Sequence, residues 1–547
     1  MFNWTNPYPT IRTPVFARDV VATSQPLAAQ AGLRMLQAGG NAVDAAIAAA
    51  AVIALAEPCS NGLGSDAFAI VWDPASERLH GMNASGIAPA AWSLDYFRRR
   101  YGDDARARPM RGWDTVTVPG AVAGWALLHA RFGRLGFADV LAPAIDYAER
   151  GFAVSAVVAE KWRLAQSVLE NQPGFAEHFL PRGRAPAVGE HFVLPGAART
   201  LKLIAQTRGE DFYRGEIAAA LCRFARETGG AMTEADLSAC LDFIRANAWV
   251  GTIATDFAGH TVHEIPPNGQ GIAALACLGI LQHTPLAEVV AAQGVDSASA
   301  QHLIIEAMKL AFADAYAYVA DPRAMTVTPE QMLDRDYLAQ RAKLIDFARA
   351  QPFAAGRPPA GGTIYLAAAD RGGTMVSFIQ SNYMGFGSGV VVPGYGISLQ
   401  NRGCGFALDA AHPNCVKPHH RPFHTIIPGF LMRAGRPQMA FGVMGGNLQP
   451  QGHVQTLLRI LVAHQQPQAA CDAPRWKWEA GLRVDLEPSW PAAVREELAA
   501  RGHRIAPVQD SYMDFGSGQF IWRLGDPARD GYVAASDSRR DGLAAGC

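Results

Sequence analysis

GGTIYLAAADRGGTMVSFIQSNYMGFGSGVV, residues 361–391, is the stretch on which the fold turns. TIYLAAAD (363–370) and TMVSFIQS (374–381) are short runs rich in β-forming residues, joined at RGG, and predict an antiparallel hairpin. The segment before it, FAAGRPPAGG (353–362), is small, Pro/Gly-rich and unpatterned, and reads as an exposed, flexible connection. Thr363 therefore opens a strand directly after two glycines. If the bond between Gly362 and Thr363 is cut, Thr363 gains a free α-amine beside its own hydroxyl, and that amine can serve as its base. Gly362 would admit the strained turn that an N-to-O acyl shift requires. The plain alternative is a strand that starts after a loop, and spacing alone leaves both readings open.

After the hairpin, YMGFGSGVVVPGYG (383–396) lacks the Lys-Ser/Thr ending of a nucleotide loop and reads as a loop packed against the strand. Its FGSG (386–389) recurs at 515–518, which a Gly-rich chain produces by chance. GVMGGNLQPQGH (442–453) sets Gly445 and Gly446 between a strand and a helix. That is either a simple turn or a pair of N–H groups aimed at one point, as an oxyanion requires. HPNCVKPHHRPFHT (412–425) is dense in metal-capable side chains, and Cys415 with His419 or His420 could be ligands. The spacing fits no closed zinc pattern, so a pocket-lining loop with His424 and Thr425 turned inward is expected instead.

Towards the N-terminus, SQPLAAQAGLRMLQAGG predicts a helix stopped at Gly39 and Gly40. Asn41, with Asp44 three residues on, caps the next helix. Its apolar run, Ala45 to Ala56, is too short to cross a bilayer and reads as a buried core helix. AFAIVWD (67–73) reads as a strand and MNASGIAPA (82–90) as a link. LAPAIDYAERGF (141–152) predicts a short helix, residues 156–245 are mostly helical, and TDFAGHTVHEI predicts paired strands.

With 547 residues the chain is long enough for two or three packed units. Its 48 basic and 49 acidic residues give a formal net charge of -1, so neither nucleic acid nor an anionic membrane is an expected partner. Eight scattered cysteines form no C-x-x-C pair, and the first residues lack a signal-peptide pattern. Both point to a reducing, cytoplasmic setting. The absence of G-x-S-x-G and H-E-x-x-H weakens the common serine-hydrolase and metalloprotease readings.

The blocks GGNAVDAAIAAA (39–50), EPCSNGLGSDAF (57–68), TVPGAVAGW (117–125), IPPNGQGI (265–272), RPFHTIIPGF (421–430) and VMGGNLQPQGH (443–453), together with the hairpin, give a chain that resembles the gamma-glutamyltransferase family of N-terminal nucleophile hydrolases. The resemblance implies a four-layer αββα sandwich of α/β class and self-cleavage into a large segment, 1–362, and a small one, 363–547. It implies Thr363 as nucleophile, Ser381 as the hydroxyl that orients it, and Gly445 and Gly446 as oxyanion donors. Neither metal nor organic cofactor is expected. The partners implied are a small-molecule amide and the two segments with each other, and a dimer of such heterodimers is compatible with it.

Departures from the family pattern bear on substrate. Ser85 stands where members acting on glutathione carry an arginine. Arg402 and Gly405 stand where a Glu and an Asp hold the substrate amine. His424 and Thr425 replace a serine pair, and Tyr383 replaces an Asn. Arg402 could pair with a carboxylate. The pattern looks like the branch that includes oxamate amidohydrolase of purine-nitrogen catabolism. A glutathione hydrolase or transferase with an altered head-group pocket, and an inactive binding or structural homologue, are the alternatives.

Overall fold

The computed structural model describes residues 12–103, 107–353, 362–508 and 515–547. The 353–362 connection expected to be exposed and flexible lies almost wholly outside the described residues. Two seven-stranded sheets face each other. One runs, in spatial order, Leu543–Gly546, Val20–Thr23, Gly362–Ala369, Met375–Tyr383, Asp66–Asp73, Arg78–Ala84, Trp249–Val250. The other runs Val15–Ala17, Tyr532–Ser536, Ser517–Arg523, Arg436–Met444, Gly429–Arg433, His260–Glu264, Ile253–Phe257. Every pairing within them is antiparallel. Each sheet combines strands from before and after residue 362.

Side chains of both inner faces, such as Phe68, Tyr365, Ile379, Phe430 and Ile521, form the apolar layer between the sheets. Helices cover both outer faces. Ala42–Ala56, capped as its Asn41–Asp44 box predicts, is buried at every position against the first sheet. Its many alanines let the neighbouring helix Pro26–Gln37 approach closely. Gly271–Leu281, Ala298–Tyr318 and Leu448–Leu461 cover the second sheet. The architecture is the expected αββα sandwich. Among the described residues no single helix is long and apolar enough to cross a membrane. Gly271–Leu281 and Leu286–Gln293 reach such a length only together, and they are bent by 77° at their junction.

Two local expectations are corrected. Met82 to Ala84 are the end of a strand rather than a link, because Asn83 pairs with Phe68 inside the sheet. The helix expected from Leu141 begins at Phe137, so it runs through Pro143.

The carboxyl-terminal strands are fixed by a buried ion network. Asp537 accepts from Arg475 Nη2 at 2.6 Å, from the Gly518 N–H at 2.8 Å and from the Arg539 N–H at 2.8 Å. Arg539 also pairs with Glu487. Burial opposes charge on Asp537, but Arg475, Arg539 and the two N–H groups outweigh it and hold the carboxyl well below its usual range. A depressed folded-state value means the contribution is present above the unfolded carboxylate's range, near about 3.9, and is lost as pH falls. Asp537→Ala strands the Arg475 guanidinium without its counter-charge. The expected cost is about 3–5 kcal/mol, read as a lower urea midpoint with an unchanged slope.

Candidate active site

The hairpin forms as predicted, Gly362–Ala369 pairing with Met375–Tyr383. Its register slips at Thr363: Gly362 lies opposite Tyr383 while Ile364 lies opposite Gln380. Ser381 and Asn382 thus share the space facing one residue, and a bulge of this kind re-aims side chains. Ser381 Oγ comes within 3.0 Å of Thr363 Oγ1 and accepts from the Tyr383 N–H at 2.8 Å. Gln449 Nε2 donates to Thr363 Oγ1 at 3.3 Å, while Gln449 Oε1 accepts from the Ile427 N–H at 3.0 Å. The Thr363 hydroxyl is buried and held from two sides.

The Gly445–Gly446 turn links the strand Arg436–Met444 to the helix Leu448–Leu461. Both glycines have positive φ, 135° and 61°, and a Cβ at Gly445 would sit 3.1 Å from Gly516 Cα, so glycine is required there. Gln270 Nε2 donates to Gly446 O at 2.9 Å and to Thr425 O at 2.7 Å, which pins the turn. Neither the Gly445 nor the Gly446 N–H has an acceptor among the described residues. Thr363, Met444, Gly445 and Gly516 line one cavity of about 290 Å³, with Met384 to Phe386 opposite. The 383–396 loop is thus packed at the strand end, and both FGSG stretches reach the same cavity. Arg111, Lys161, Lys477 and Arg540 also line it, Lys477 paired with Glu479, and no carboxylate lines it among the described residues.

Tyr383 has φ of 79°, a strained value for a bulky residue. Arg402 Cζ lies 4.9 Å from the centre of its ring. Arg402 is buried, and its Nη1 donates to Thr425 Oγ1 at 2.6 Å. Its Nε and Nη2 have no acceptor among the described residues. Burial brings its pKa down to about 10, with Asp66 opposing. Burial pushes the Asp66 carboxyl up to about 6, against Arg402 and the N–H groups of Gly86 and Gly120.

Ser85 and His424 do not sit as expected. Ser85 Oγ donates to Asn83 Oδ1 at 2.7 Å and accepts from Asn268 Nδ2 at 3.3 Å. His424 Nε2 lies 3.2 Å from Asp66 Oδ2, its Nδ1 accepts from the Ile426 N–H, and burial keeps the ring neutral. Their hydrogen-bonding capacity is used inside the protein, and neither lines the cavity. Gly405 is a closed position: a Cβ there would lie 2.4 Å from Phe423 O, so no acid fits without a backbone shift. Of the candidate ligands, Cys415 Sγ and His420 Nδ1 bond to carbonyl groups of their own loop, those of Val416 and Pro418. The metal-capable cluster among the described residues is elsewhere, His302, Glu306 and His503.

Sequence reasoning missed Gln449, although its position just after the glycine pair was a usable signal. It also missed the four cations, which arrive from distant segments and carry no motif.

The family described as Gamma-glutamyltranspeptidase matches residues 28–547. The chain belongs to the gamma-glutamyltranspeptidase family. It is an enzyme of that family, an autocatalytically processed N-terminal nucleophile hydrolase. It is 35% identical to the glutathione hydrolase-like YwrD proenzyme of Bacillus subtilis, over 97% of this chain and 98% of that one. It is 36% identical to the oxamate amidohydrolase proenzyme of Klebsiella pneumoniae, over 95% and 97%. A crystal structure of cephalosporin acylase from Bacillus halodurans superposes with a TM-score of 0.92 at 45% identity, covering 100% and 99%. The expected kinship with the oxamate branch in particular is therefore not singled out. This gamma-glutamyltranspeptidase family member is comparably similar to relatives with other named activities.

Proposed function

We propose that the Gly362–Thr363 bond is the processing site, dividing the chain into 1–362 and 363–547, and that Thr363 then hydrolyses an amide. The α-amine of Thr363 takes the Oγ1 proton as Oγ1 bonds to the amide carbonyl carbon. The carbonyl oxygen becomes an oxyanion facing the N–H groups of Gly445 and Gly446. Collapse breaks the C–N bond, and the departing amine takes the proton from the α-ammonium. Water then attacks the ester, the same amine accepts its proton, and a carboxylic acid leaves with Thr363 restored. The observation that carries this reading is the doubly held Thr363 hydroxyl opening onto the cavity that Gly445 also lines. Sequencing the amino end of the smaller fragment tests it. The expected start is Thr363-Ile364-Tyr365, in a fragment of about 20 kDa beside one of about 39 kDa, in proportion to their lengths. Any other start sinks the assignment. Ser381→Ala is expected to lower kcat about 100-fold, the scale of one lost positioning hydrogen bond at such a centre, and to slow fragment formation on a gel.

On the acyl half, Arg402 supports a carboxylate. A buried guanidinium with two unanswered N–H donors is costly by itself, about 1–3 kcal/mol per group, and an anion would answer both. A small carboxylate-bearing amide such as oxamate satisfies this. The second reading is glutathione hydrolysis or γ-glutamyl transfer. Relatives named as glutathione hydrolases are the more numerous matches and back this reading better. Ammonia release from oxamate, measured beside glutamate release from glutathione on the processed protein, separates the two. Turnover of glutathione alone would discard the oxamate reading.

A further inference from the structure

Gln449 touches the oxygen of Thr363 but takes no step in the chemistry above. It stands in the first turn of the helix Leu448–Leu461, and its own N–H donates to Gly446 O at 3.2 Å, so the glycine turn places it. The side chain is fully buried. Its orientation is settled by Ile427, whose N–H can only donate, so the atom that meets it at 3.0 Å is the amide oxygen. Nε2 therefore faces Thr363 Oγ1 at 3.3 Å with hydrogens alone to offer. Ser381 differs, since its hydroxyl can turn and either donate to Oγ1 or accept from it.

A fixed donor acts unequally along the reaction. As Oγ1 attacks, it changes from a hydroxyl into an ester oxygen, a poorer acceptor, and the N–H gains nothing. When the ester is hydrolysed, Oγ1 leaves with the electron pair of the C–Oγ1 bond, and the same N–H meets growing negative charge. Only an interaction that strengthens in the transition state speeds a step. Self-cleavage has the same ending: once the Gly362 acyl group has shifted from nitrogen to Oγ1, water must release it from that oxygen.

We infer that Gln449 is a catalytic residue for the departure of Oγ1 from an ester, serving that step once when the chain is cut before Thr363 and again in every turnover. In each case water bonds to the acyl carbon, the α-amine takes its proton, the C–Oγ1 bond breaks, and the α-ammonium returns a proton to Oγ1. The inference rests on the reading of Thr363 as the nucleophile.

The test follows cutting of the full-length chain with and without hydroxylamine, which at neutral pH cleaves esters and leaves amides intact. Gln449→Met keeps the length of the side chain and removes the donor. Its cutting in buffer should slow by about 10–100-fold, up to the scale of one lost donor at such a centre. Hydroxylamine should restore fragments of about 39 and about 20 kDa, in proportion to their lengths, because the ester still forms. Gln449→Glu keeps an acceptor for Ile427, which guards the fold, and should show the same rescue. Mature Gln449→Met protein released in this way should have kcat and KM lowered in parallel on oxamate or glutathione, whichever the parent turns over, with kcat/KM held within about threefold. A merely structural role would lower kcat/KM and give no response to hydroxylamine. Cutting at the parent rate overturns the inference. Slow cutting that hydroxylamine rescues in neither variant also overturns it, since the block then precedes the ester. A parent chain whose small fragment does not begin at Thr363 overturns the nucleophile reading and the inference with it.

Discussion

Thr363→Ala is expected to leave the protein as one 58.4 kDa band and to lower amide turnover by about 10⁴-fold or more, the usual loss when a covalent nucleophile is removed. The substitution deletes both the oxygen that attacks and the group that Ser381 and Gln449 hold. It adds no volume to the buried strand, so the fold should persist, which a circular dichroism spectrum checks. The two consequences can be separated. Co-producing residues 1–362 and 363–547 as two chains removes the need for self-cleavage, and Thr363→Ala in the second chain then reports on turnover alone. Restored turnover in that arrangement would mean that Thr363 acts only in processing, and the mechanism would be wrong.

Arg402→Met carries the second large effect. For an amide whose acyl half bears a carboxylate, kcat/KM should fall about 10²–10³-fold, or roughly 3–4 kcal/mol, the range for losing one partner of a buried, hydrogen-bonded charge pair. For an uncharged acyl amide with the same leaving group the change should be small. Arg402→Lys should not rescue, since an ammonium cannot reproduce the planar donor set stacked on Tyr383. The variant also removes the charge that partly restrains Asp66, whose carboxyl already stands near 6. Asp66 is then expected to be protonated at neutral pH, and His424 would face a neutral partner. Equal losses on the charged and uncharged amides would locate the effect in that core rather than in substrate recognition.

The parts of the site set by local chemistry were legible in the chain. The hairpin showed itself by its strand runs and the RGG turn, the core helix by its Asn41–Asp44 box, and the Gly445–Gly446 turn by two glycines between a strand and a helix. What could not be read came from distance. The bulge that brings Ser381 to Thr363 depends on the register of two strands, and neither strand encodes it alone. The hydroxyl of Ser85 and the ring of His424 were expected at the substrate, yet Asn83, Asn268 and Asp66 reach them first. The cationic cavity needs residues near 111, 161, 477 and 540 to meet, and no spacing rule joins them. Gly405 looked like a lost acid, whereas its packing against Phe423 leaves no room for one.

Both sheets draw neighbouring strands from either side of residue 362: Val20–Thr23 pairs with Gly362–Ala369 in the first, and His260–Glu264 with Gly429–Arg433 in the second. Cutting the chain before Thr363 therefore leaves the folded particle whole but alters the molecularity of its unfolding. An uncut chain that opens still has its partner strands tethered, and refolding is first order. Two separate chains must find each other again, so the unfolding midpoint becomes dependent on protein concentration, and the tether's effective concentration is lost. At low concentration a single opening event becomes irreversible in practice. The mature protein then persists through slow unfolding rather than through ready return, and its lifetime is set by a barrier instead of an equilibrium.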